Sequence, residues 1–116
     1  MTSEEVGYKA TLWLTALGPW LESNKAAAQS VLKALAQASE ITRKDPQRAA
    51  AAVQAVTKIP VATTLALLGE LDSVVRDFSE QDEWTTSSIS KFLVQQKATA
   101  ERVDSSRLLQ RGFYKG

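Results

Sequence analysis

Apolar positions recur at three- and four-residue steps through the centre of the chain. Ala27/Ala28, Val31, Leu35, Ala38 and Ile41 fall on one face of a helix. Gln29, Lys33, Gln37, Glu40 and Lys44 fall on the other. Glu40 stands four residues before Lys44, the better order for a helical ion pair, worth about 0.2–0.5 kcal/mol. The pattern breaks at Asp45-Pro46. Asp45 suits an N-cap and Pro46 the first helical position, where its missing N–H costs nothing. Ala49, Ala52, Val53 and Val56 then mark one face of a second helix. The spacing predicts helices over about Asn24–Arg43 and Pro46–Lys58, the second stopped by Pro60.

On either side the pattern is less regular. Tyr8–Leu17 alternates Tyr8, Ala10, Leu12 and Leu14 with Lys9, Thr11, Trp13 and Thr15, which reads as a short strand. A helix is the rival reading, because Leu12 and Ala16, or Trp13 and Leu17, are four apart. Gly18-Pro19 breaks the chain, and Trp20-Leu21 begins a turn before the first long helix, with Ser23 or Asn24 as its cap. Val61, Leu65, Leu68 and Leu71 mark a third helix over about Val61–Val75, with Gly69 costing it about 1 kcal/mol relative to Ala. Asp72–Phe78 fits either a continued helix or an extended crossing segment, and Ser79–Glu83 reads as a polar loop. A fourth helix is expected over about Thr86–Arg102, with Ile89, Phe92, Leu93 and Gln96 inward. Asp104-Ser105 caps a last short helix through Gln110, ended by Gly112. The fold class expected is therefore mainly α: four to five amphipathic helices and one short N-terminal strand. At 116 residues the chain is long enough for a single domain with one core.

Composition narrows the chemistry. The 116 residues are 44% hydrophobic and 23% charged, with net charge +1, ordinary for one folded domain. Lys and Arg are spread along the chain, so no nucleic-acid partner is expected. There is no Cys and no His. That rules out disulfides, Cys-ligated metals, Cys nucleophiles and every His-dependent acid–base mechanism. No G-x-S-x-G elbow, phosphate loop or dinucleotide fingerprint is present. The expectation is a protein that is not an enzyme and has no cofactor. Leu12–Leu21 is apolar over only about ten residues where roughly 20 are needed to span a bilayer, so no membrane insertion is expected. Residues 1–10 carry no secretory pattern, which points to the cytoplasm for the chain as given.

Three groups of side chains carry candidate chemistry. Glu70, Asp72, Asp77, Glu80, Asp82 and Glu83 concentrate acid in one stretch, as a hard-cation site requires. Their spacing does not match an EF-hand loop, and a solvated acidic surface is the favoured reading, so no metal is expected. Lys97, Arg102, Arg107, Arg111 and Lys115 make the C-terminal part basic, but Glu101 and Asp104 interrupt the run. Trp13, Trp20, Trp84 and Phe113 are the interface candidates, because large aromatics dominate interfaces. No catalytic residue is assigned and no ligand-binding residue is identified.

The order of features resembles a known family. A short apolar segment (YKATLWLTA) leads to Trp20-Leu21, then to a helix ending LKALAQASEITRKDP, then to an alanine-rich helix, QRAAAAV. This resembles the C-terminal part of periplasmic solute-binding proteins of the nitrate/sulfonate/taurine type, related to the thiamine-precursor binding family. Leu35, Ala38, Asp45-Pro46 and Ala49–Ala51 fit the central pattern, and Leu108-Leu109 and Phe113 fit the tail loosely. The resemblance implies a segment of a two-lobed α/β receptor that binds a small anion or heterocycle for an ABC importer, periplasmic when part of a secreted receptor. The segments supplying most ligand contacts would lie upstream of Met1, so no binding residue is carried over. The partners implied are the missing lobes. A second reading, from a different class, is a stand-alone helical interaction module that forms a homo-oligomer through an apolar helix face.

Overall fold

Helix boundaries follow the capping chemistry. The computed structural model describes Glu5 and residues 11–115, with six helices among them. Helix α1 (Gly18–Ser23) carries Pro19 in its first turn. Asn24 closes it, donating from Nδ2 to the Trp20 carbonyl at 2.8 Å. Helix α2 (Lys25–Lys44) follows at once, with the Lys44–Glu40 ion pair at 2.6 Å on its exposed face. Asp45 separates α2 from α3 (Pro46–Thr57), and its Oδ1 accepts the Arg48 amide at 3.0 Å. Lys58 ends α3 in the left-handed region at φ 64°, and Pro60 leads into α4 (Val61–Glu70). Helix α5 spans Glu80–Gln95 and the short α6 spans Ser105–Leu108.

Helix α3 packs against both α2 and α4, α1 leans on α2, and α6 lies on α5. The segment between α4 and α5 links the two groups. Leu71 is extended at φ −102° and ψ 132°, so α4 stops short of the expected Val75. The β-branched pair Val74-Val75 gives no help to a continued helix. Its backbone is used in another way: the Ser39 hydroxyl of α2 donates to the Ser73 carbonyl. Asp72–Phe78 is thus irregular rather than helical.

Several expectations need correction. Residues 11–17 carry no strand; Tyr8–Ala10 lie outside the described residues. Gly18–Ser23 is a helix, not a turn, because Pro19 starts it and Asn24 ends it. The count of four to five helices becomes six among the described residues, by the addition of α1. Helix α5 begins six residues before the expected Thr86 and ends at Gln95, seven before Arg102. Lys97, at φ 56°, reverses the chain there.

The buried faces also differ from the apolar stripes. On α2 the part-buried row is Ala28, Leu32, Ala36 and Thr42 with Ser39 buried. Val31, Leu35 and Ile41 remain 46%, 42% and 40% exposed. Small residues let helices approach closely, so α2 turns the row of Ala28, Leu32, Ala36 and Ser39 toward its neighbours and leaves Val31, Leu35 and Ile41 more exposed. Helix α3 does the same: Ala50 is fully buried while Val56 is 83% exposed. Only Ala50 and Leu109 are buried hydrophobics among the described residues.

The result is an open molecule. Its radius of gyration is 17.1 Å, against about 13 Å for a compact chain of this length. Its accessible surface is 9293 Å², against roughly 6,200 Å² for a compact monomer of this mass. Among the described residues no helix is long and apolar enough to cross a membrane.

Candidate functional site

The most developed side-chain network is built around the start of α5. Ser79 and Asp82 form a reciprocal capping box. The Asp82 amide donates to Ser79 Oγ at 3.3 Å, and the Ser79 amide donates to Asp82 Oδ2 at 2.7 Å. Each bond satisfies a backbone donor that a helix start otherwise leaves free. Arg76 completes the cluster, donating from Nη1 to Asp82 Oδ2 at 2.5 Å and from Nη2 to Oδ1 at 3.0 Å. Asp82 is only 7% exposed. Hydrogen bonding from Arg76, more than offsetting the burial that opposes it, holds the Asp82 carboxyl well below the usual carboxylate range. Arg76 is raised in turn, mainly by the same bond.

From Asp82 the inward face of α5 runs through Thr86 and Ser90, both buried. The Thr86 hydroxyl donates to the Asp82 carbonyl at 2.8 Å. Ser90 Oγ accepts the Val103 amide at 2.7 Å, which ties the returning chain to the helix. That polar row replaces the expected inward set. Ile89 and Phe92 are exposed, Gln96 caps the helix end, and only Leu93 of the four is part-buried. The reason is local: the returning segment brings a backbone N–H to α5, and a hydroxyl can satisfy it where a methyl cannot.

The C-terminal segment then runs back along α5. Arg111 Nη2 reaches Glu83 Oε2 at 2.7 Å, and the Gly112 amide donates to Asp77 Oδ2 at 2.7 Å. Gly112 has φ +84°, a conformation costly for a residue with a Cβ. Ser105 and Leu109, shortly before this strap in the chain, are buried.

Between α5, the residues around Trp13 and the returning segment lies a cleft of about 200 Å³. Trp13, Ile89, Leu93 and Val103 supply apolar wall, and Thr86 and Ser90 supply hydroxyls. The Trp13 ring meets Phe78 edge to face, with centroids 5.5 Å apart at 77°.

The interface candidates separate in space and in role. Trp13 lines the cleft and is 38% exposed. Trp20 sits in α1, exposed, and Trp84 projects from α5 at 65% exposure. Phe113 is half-buried in the C-terminal strap. No ring contact joins any two of the four among the described residues. Of the acids, Asp77, Asp82 and Glu83 are engaged in internal bonds. Among the described residues no group of three or more acids converges on a metal position. Of the basic run, Arg111 is drawn into the strap. Ser79–Glu83 is not a loop but the capped start of α5, and Ser79-x-x-Asp82 is the sequence signal that marks it. Arg76 had no sequence signal of its own.

Comparison of the chain with protein-family models, curated proteins and solved structures finds no match.

Proposed function

We propose that the chain is a helical scaffold segment of a two-lobed solute-binding receptor serving an ABC-type importer. It works by binding and positioning, not by catalysis. In this reading the remaining lobes cover its open helix faces, and closure of the lobes holds a small solute. The observation that carries it is the surface left uncovered, roughly 3,000 Å² beyond that of a compact monomer of this mass. The helix ending at a capped Asp45-Pro46 junction, followed by an alanine-rich helix, is in keeping with the resemblance.

The same uncovered surface favours a second reading, a self-associating helical module. Counted over two chains the excess is about 6,000 Å², the scale of the largest obligate interfaces. Sedimentation equilibrium on the 116-residue chain, over a range of concentrations and alongside hydrophobic-dye binding, separates the two. A monomer that binds dye and melts without cooperativity is expected for the receptor segment. Its dye signal should vanish once the chain is produced together with the receptor lobes. A stable dimer or higher oligomer that excludes dye would replace the receptor reading with the interaction module.

A further inference from the structure

We infer that the cleft beside Trp13 is a binding site for a small neutral aromatic molecule bearing one hydrogen-bond acceptor, the class of simple aryl carbonyl compounds. The site is made wholly of this chain's residues and stands or falls apart from the receptor reading. Size is the first argument. An engineered apolar cavity of about 150 Å³ in another protein takes up benzene, so a cleft of about 200 Å³ accommodates one substituted ring.

Charge is the second. No Lys or Arg is among the residues that line the cleft. Its one carboxylate, Asp82, already has Oδ1 on Arg76 Nη2, and Oδ2 on Arg76 Nη1, the Ser79 amide and the Ser79 hydroxyl. An ion entering here would lose hydration and meet no free counter-charge. The ligand is therefore neutral.

Polarity is the third. Ser90 is 6% exposed, and its Oγ accepts from Val103. Its own hydrogen meets no acceptor among the described residues, whereas the Thr86 hydroxyl hydrogen is engaged by the Asp82 carbonyl. Thr11, Thr85 and Thr99, the other hydroxyls on the wall, are not buried, so Ser90 is the buried hydroxyl whose hydrogen an acceptor atom on the ligand can take in place of water. The surrounding wall of Trp13, Ile89, Leu93 and Val103 suits a ring, with the Trp13 indole available for an edge or offset contact.

Acetophenone and ethylbenzene test this, being similar in size and differing in the carbonyl. Each is titrated into the full chain and followed by NMR of the tryptophan indole N–H and methyl signals. Acetophenone is expected to shift Trp13, Leu93 and Val103 along one saturating curve. It should bind about fivefold tighter than ethylbenzene, the ordinary worth of one neutral hydrogen bond. Ser90→Ala should erase the preference, and Leu93→Trp should abolish binding of both. Equal affinity of the two ligands for the unsubstituted chain overturns the proposal without recourse to any variant. So do shifts centred on Trp20 or Trp84, or a preference that survives Ser90→Ala.

Discussion

Arg76 grips Asp82 through two parallel hydrogen bonds, with the guanidinium 46% exposed and the carboxylate 7% exposed. Asp82 also closes the capping box at the start of α5, so one side chain fixes both the helix start and the segment before it. Removing it leaves the Ser79 amide without its acceptor and Arg76 with only the Asp77 carbonyl. Asp82→Ala is expected to destabilise the chain by roughly 2–3 kcal/mol, with Arg76→Ala milder because its head reaches water. Chemical denaturation of both single variants and the double variant checks this. A double variant no worse than Asp82→Ala alone shows that the two residues act as a unit.

The same carboxylate sets a pH dependence. Its folded value is depressed, so the unfolded chain takes up the proton first, near the ordinary Asp value of about 3.9. Stability from Asp82 is fully present above that value and is lost progressively as pH falls below about 4, toward the lower folded value. Thermal melts from pH 7 to pH 2 should show a falling midpoint below pH 4. In Asp82→Asn that acid sensitivity should shrink.

The junction between α2 and α3 rests on one side chain. Asp45 Oδ1 accepts the Arg48 amide, and Asp45→Ala removes that cap at a cost of about 1 kcal/mol. Asp45→Ser should recover most of it. Far-ultraviolet circular dichroism through a urea titration measures both.

Lys58 holds a left-handed backbone at φ 64° where α3 ends. An L-residue bears about 1 kcal/mol of strain there that glycine does not. Lys58→Gly is expected to be neutral or to stabilise by up to about 1 kcal/mol, although Lys58 Nζ gives up its bond to the Ala55 carbonyl. A loss greater than that would show the lysine contact outweighing the backbone strain.

The open faces make a further prediction. Val31, Leu35 and Val56 are exposed, so Val31→Glu with Leu35→Glu should change the stability of the isolated chain by no more than about 0.5 kcal/mol per site. Dye binding should fall. If the chain associates through α2, the same pair should shift sedimentation to the monomer.

Much was readable from the residues alone. Asp45-Pro46 set a helix boundary because the proline ring and the capping carboxylate act within a few residues. The Glu40–Lys44 pair and the Asp104 cap follow from equally local chemistry, whereas Lys58 rather than Pro60 ends α3 and α6 stops at Leu108 rather than Gln110; together these local signals still mark a mainly helical chain. What faces what was decided only in three dimensions. The apolar stripe Val31, Leu35, Ile41 has the spacing of a core face, yet the burial on α2 falls on Leu32, Ala36 and Ser39, the row that the neighbouring elements cover. The inward row of α5 is Asp82, Thr86 and Ser90, because a distant arginine and a returning amide need acceptors there. Periodicity along a helix names its faces; only the partners brought by the rest of the fold choose which face is buried.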